Sequence, residues 1–237
     1  MQTSTWLGNS YDIIAVCWFF AGWLIYMRYV QIAAKRRACL TRGMIAARRE
    51  WMAQLLARDN RITDASIIAN LERNVSFLAS SALLIIAALL TTLASTEQAV
   101  NLLASIPFTT QASRELWEAK VLLLAVVFIY AFFQFTWSMR QYSFLSILVG
   151  SAPAAPKGES VPEPLRSRFI DNASEVATLA AFAFNQGLRA FYFALAVLAW
   201  LVNAHLFMVA TSVVIWVLYR REFHSPAVRA LKAIPPA

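Results

Sequence analysis

The sequence predicts an all-α fold, a polytopic bundle of transmembrane helices, and three observations carry that prediction. Hydrophobic residues make up 59% of the chain and charged residues only 14%, where soluble domains hold about 45–50% apolar and roughly a quarter charged residues. Long apolar runs recur, of the length needed to cross a hydrocarbon core with about 20 residues. Lys and Arg gather at the ends of those runs, as expected where loops meet anionic headgroups. A lipid solvent accounts for all three, because every charge placed in hydrocarbon costs free energy.

The first apolar run, residues 13–29, closes on Lys35-Arg36-Arg37. No basic segment precedes it and no small-residue cleavage site follows, which predicts a retained helix and not a removed signal peptide. Residues 35–57 contain no Pro and the single Gly43, with Met44, Arg48, Trp51 and Leu55 at helical spacing and Ile45, Met52 and Leu56 beside them. Either the first helix continues past the membrane or a second helix lies along its surface. Arg58-Asp59-Asn60 then turns the chain into Ile67, Ile68, Leu71 and Val75. The second run, 75–93, is introduced by Glu72-Arg73-Asn74, and the third, 121–139, lies between Lys120 and Arg140. Pro153, Pro156, Gly158, Pro162 and Pro164 predict a loop over 151–164.

The last apolar stretch, 188–219, would measure about 48 Å as one helix, well beyond a hydrocarbon core of about 30 Å. Val202-Asn203-Ala204-His205 places polar residues near its middle, so a tight helical hairpin is preferred. That gives five spans, at about 12–33, 74–95, 118–142, 182–202 and 205–221; four spans is the alternative. Residues 1–237 then form a single integral membrane domain with a helical segment, 34–73, on the cytoplasmic side. Residues 28–73 hold ten Lys or Arg against four acids, which places them in the cytoplasm and the N-terminus outside. The loop 94–117, with Arg114, Glu97 and Glu115, falls outside. Lys157, Arg166 and Arg168 return to the cytoplasm, and five spans put the tail carrying Arg220, Arg221, Arg229 and Lys232 there too.

The net charge of +8 does not indicate nucleic-acid binding, since the basic residues cap apolar runs and line no soluble face. Cys17 and Cys39 have no CxxC or His-rich neighbours and read as free thiols, Cys39 in a reducing compartment. His205 and His224 fall on opposite membrane faces in the five-span arrangement, too far apart to share a metal or haem. No metalloprotease, phosphate-loop or nucleophile-elbow pattern occurs. The sequence therefore supplies no catalytic residue, no metal ligand set and no cofactor site, and it leans away from an enzyme.

Polar residues concentrate in two places. On a helix Gln134, Ser138 and Gln141 share one face, Thr136 and Arg140 the next, with Trp137 and Tyr142 nearby. Intramembrane polar groups face protein or water, so these either form a solute or headgroup site or bond neighbouring helices. Asn185, Arg189 and Tyr192 recur at i, i+4 and i+7. Arg189 could pair with a bound anion, pair with an acid on another helix, or snorkel to the headgroups. Gly187 marks a close helix contact or a bend. Ser76 with Ser80, and Ala190 with Ala194, are spaced for small-residue helix contacts. Glu118 could relay protons, though an interfacial carboxylate is ordinarily just solvated. Arg36, Arg37, Arg48 and Arg49 are the expected lipid-headgroup contacts.

Several runs together resemble a known family. They are Arg58-Asp59-Asn60-Arg61-Ile62 with Asp64, Arg73 to Ser81, Phe133 to Tyr142, Phe184 to Phe193, and Leu218-Tyr219-Arg220-Arg221-Glu222-Phe223. The family is catalogued as domain of unknown function 599 and is found in bacteria and plants. The resemblance spans about residues 11–231 and implies a bacterial inner-membrane setting. It brings no activity and no catalytic residues.

Two function classes follow. One is an oligomeric transporter or channel-like protein for a small solute or ion, which at this length would need a homo-oligomer to enclose a path. The other is a non-enzymatic scaffold or assembly protein whose basic cytoplasmic helices bind anionic lipid or a partner. An enzyme acting on lipid within the membrane has the least support in the residues.

Overall fold

The computed structural model describes residues 10–94, 113–154 and 161–233. Within them the chain is all-α: α1 (Ser10–Arg36), α2 (Leu40–Leu56), α3 (Ile62–Ala94), α4 (Arg114–Gly150), α5 (Glu163–Trp200), α6 (Ala204–His224) and α7 (Pro226–Ala233). Four of these helices, α1, α3, α4 and α5, are long and apolar enough to cross a membrane. Their outer faces carry large apolar side chains such as Ile25, Phe77, Leu84 and Phe133, each more than 60% exposed. Water would penalise such a surface, whereas hydrocarbon suits it.

The antiparallel pair α4–α5 forms the centre. α3 packs on α4, α6 on α5 and α1 on α6, while α2 lies against α5 and α7 against α2. The centre is close-packed because α5 presents a run of buried alanines, among them Ala173, Ala177, Ala180 and Ala190, which let backbones approach. Phe128 and Phe135 of α4 hold Phe191 of α5 between them, with ring centroids 5.1 and 5.4 Å apart. Phe19 of α1 meets Phe193 of α5 and Phe207 of α6 at 5.7 and 5.2 Å. Trp23 stacks on Phe193 at 4.8 Å.

Several expectations change in detail. The helices run well past the apolar runs: α3 begins at Ile62 and α4 continues to Gly150, so the charged ends of both belong to rigid helix. α2 is separate from α1 and buries Met52 and Leu55 in the bundle. Of the two arrangements expected, it is a separate helix and not a continuation of α1. The predicted loop 151–164 gives way to α5 at Glu163, with Pro162 as N-cap and Pro164 in the first turn, where a missing N–H costs nothing. Residues 155–160 and 95–112 of the two expected loops lie outside the described residues. The last apolar stretch does break, at Leu201–Asn203, and Asn203 caps α6 by accepting the Leu206 N–H at 2.7 Å. The α3 seam is Val75, Ala79, Ala82 and Ile86. Ser76 and Ser80 are exposed and lie off that seam.

Candidate functional site

The polar groups collect at the end of the bundle that carries Arg36, Arg73 and Arg140, the basic end. Its frame starts in the turn between α2 and α3. Asn60 Oδ1 accepts the Ile62 N–H at 2.9 Å and opens α3. Arg61 donates to the carbonyls of Ala152 and Pro153 at 2.9 and 3.0 Å, which ties the start of α3 to the chain leaving α4. Asp64 is fully buried, and its Oδ1 accepts from Trp51 Nε1 at 2.7 Å and from Arg58 at 2.8 Å. The run Arg58–Asp64 is thus a structural joint among α2, α3 and α4.

The two faces of the α4 cluster diverge. Ser138 is buried and donates to the Ala180 carbonyl at 2.7 Å, bonding α4 to α5. Gln141 and Tyr142 are buried near it, and Gln134 is half-buried. The Gln141 Oε1, like that of the buried Gln186, has no hydrogen-bond partner among the described residues. Arg140 is exposed on the other side. There it borders a groove of about 790 Å³ between α3 and α4, lined by Glu72, Arg73, Ser76, Phe133, Thr136 and Trp137 among others.

The α5 stripe is likewise divided. Asn185 is exposed. Arg189, 8% exposed, forms an ion pair at 3.6 Å with Glu222 of α6, which is 6% exposed. The guanidinium also lies over the Tyr26 ring at 5.5 Å and reaches Met27 Sδ at 3.8 Å. Of its three possible uses, the structure places Arg189 against an acid of another helix. Glu222 in turn accepts the Thr41 N–H at 2.9 Å. That bond satisfies an orphan donor in the first turn of α2, where Cys39 as N-cap makes no side-chain bond. Cys39 is buried, and burial pushes its thiol above the ordinary value, with Glu222 nearby adding to the rise. Tyr192 receives a hydrogen bond from Arg221 at 2.5 Å and also lies under its guanidinium. Gly187 marks a close contact: a Cβ there would lie 2.7 Å from the Phe135 ring.

The four expected headgroup contacts differ in their freedom. Arg36 and Arg37 are exposed. Arg49 is exposed but paired with Asp171 at 2.9 Å. Arg48 is half-buried, and burial pulls its guanidinium below the ordinary value while Tyr142 acts the other way. It is thus less free than Arg36 and Arg37.

Three residues at the opposite end were not singled out by their spacing as a group. Asp12 accepts from Trp200 Nε1 at 2.7 Å, and Lys120, 1% exposed, holds its ammonium 5.5 Å from the Trp200 ring. Glu118 pairs with Arg114 at 2.9 Å. The only sequence sign of this cluster was that charged residues stand at the edges of apolar runs. The two histidines sit at opposite ends of α6, His205 against Tyr11 and His224 against Tyr219.

The sequence model of the family described as protein of unknown function, DUF599, matches residues 14–227, and the chain belongs to that family. No curated protein and no solved structure matches the chain.

Proposed function

We propose that this family member is a five-span, non-enzymatic protein of the bacterial inner membrane. Its basic end lies in the cytoplasm, where it binds anionic lipid as a scaffold or assembly element. The observation that carries this reading is the division of the charges. The deeply buried pair Arg189–Glu222 is satisfied inside the chain, while Arg36, Arg37, Arg42, Arg73 and Arg140 face outward at one end. Juxtamembrane cations of that kind are each worth about 1 kcal/mol at an anionic surface.

α6 completes the five spans. Its apolar part, residues 204–219, is about 24 Å long before the charged turn at Arg220 and Arg221, it returns antiparallel to α5, and Val209, Val213 and Trp216 are exposed along it. With five spans the excess of Lys and Arg on residues 28–73 and on the tail falls on one side, the cytoplasm. A conduit has less geometric support, since Ser138, Arg189 and Tyr192 are engaged by partners within the chain.

The test is native mass spectrometry of protein extracted in mild detergent, before and after the outward set Arg36, Arg37, Arg42, Arg73 and Arg140 is replaced together by Gln. Loss of retained anionic lipid in the variant is expected, and unchanged retention would sink the reading. The same spectra report the homo-oligomer that a path-forming protein of this size needs. A defined oligomer holding a small solute in place of lipid would favour transport. A reporter fused after Ala237 should register cytoplasm, and a periplasmic signal would overturn five spans.

A further inference from the structure

We infer that the groove between α3 and α4 is a site for one anionic phospholipid, with the phosphodiester between Arg73 and Arg140 and an acyl chain along Phe133. The inference rests on the lipid-binding reading above and narrows it to one place and one ligand class.

Depth is the first argument. Arg73 stands two residues before the apolar run of α3, and Arg140 directly follows that of α4. The two helices are antiparallel neighbours, and Ser143 Oγ donates to Glu72 at 3.0 Å across them. Both guanidinium groups therefore leave the bundle at the same hydrocarbon boundary, where a lipid phosphate lies.

Charge and shape supply the second. Arg73 and Arg140 are exposed, Arg140 with its guanidinium over the Phe144 ring at 5.6 Å and Arg73 donating to Asn70 at 3.3 Å. The one carboxylate in the groove, Glu72, is already bonded by Ser143. Two cations against one anion leave a single positive charge, which matches a phosphatidylglycerol headgroup better than a zwitterionic one. The hydroxyls of that headgroup could also donate to Glu72. Above the basic residues the wall turns apolar, with Phe133 63% and Trp137 51% exposed. A volume of about 790 Å³ takes a headgroup and the first part of a chain. A free phosphate would leave that apolar half unused.

The experiment places the protein in nanodiscs of equal phosphatidylglycerol and phosphatidylethanolamine, then counts retained lipids by native mass spectrometry. Wild type should keep one phosphatidylglycerol, with a preference of about tenfold from one or two favourable cation contacts. Arg73→Gln with Arg140→Gln should erase that preference, and Arg73→Lys with Arg140→Lys should keep most of it in an equally folded chain. Arg36→Gln with Arg37→Gln should leave the one lipid in place. If instead that pair removes it and the groove variant does not, the inference falls while the broader reading stands. Equal retention of both lipids by wild type overturns both. Inorganic phosphate added to the sample should not displace the lipid; displacement would overturn the inference.

Discussion

Arg189 and Glu222 close an ion pair at 3.6 Å between α5 and α6, and the same carboxylate completes the first turn of α2 through Thr41. One acidic side chain thus joins three helices. Two of the family-like runs, 184–193 and 218–223, are joined by this pair and by the neighbouring Arg221–Tyr192 contact.

Glu222→Gln should destabilise the protein by roughly 3 kcal/mol, because removing one partner leaves the buried Arg189 charge uncompensated. Arg189→Met with Glu222→Met should recover much of that loss, since both charges go together. Equilibrium unfolding in mixed micelles measures both. A single variant as stable as wild type would show that water, not Glu222, satisfies Arg189.

Gly187→Ala should cost about 1–3 kcal/mol through overpacking, because the new methyl meets the Phe135 ring at 2.7 Å. Phe135→Leu in the same chain should restore part of the stability. Additive losses in the double variant would place the strain elsewhere.

Gly43→Val tests the docking of α7. A Cβ at Gly43 would lie 3.0 Å from Leu231 Cδ1 and 3.2 Å from its Cβ. The variant should free the C-terminal helix and speed tryptic cleavage after Arg229, leaving the midpoint of unfolding nearly unchanged. Cleavage at the wild-type rate would mean that Leu231 can move aside.

Cys39 should label slowly. Burial raises its thiol above the ordinary value, and only the thiolate reacts. In a Cys17→Ser chain at neutral pH, N-ethylmaleimide should modify the folded protein far more slowly than the unfolded one. The folded rate should begin its rise at higher pH than that of a free thiol. Glu222→Gln removes one contributor to the shift and should move that rise to lower pH.

The membrane helices were legible because hydropathy is a property of each segment alone. Asn203 was legible as a break for the same reason: a short polar interruption in an apolar stretch has little else to do. The helical period also separated Ser138 and Gln141 from Thr136 and Arg140, which the fold turns in different directions. Partners were not legible. Glu222 sits beside Arg220 and Arg221 in the basic tail, and it is α5 and the start of α2 that close over it. Arg48 and Arg49 looked alike as headgroup contacts, yet Tyr142 and Asp171 on other helices take them up differently. Ser76 and Ser80 had the spacing of a helix contact, but their apolar neighbours one position away, Val75 and Ala79, supply the seam. Spacing reports which residues share a face, and says nothing about what meets that face.

The placement of α1 sets an order for biogenesis. Its buried stripe, Ala15, Phe19, Tyr26 and Val30, packs chiefly on α6, which leaves the ribosome last among the long helices. At about 5–20 residues per second, synthesis from Arg36 to Ala204 occupies roughly ten to thirty seconds. For that interval α1 must shelter its inward face, and Asp12, with lipid or an insertion factor. A chain truncated ahead of α6 would keep that face uncovered, a ready mark for membrane proteolysis.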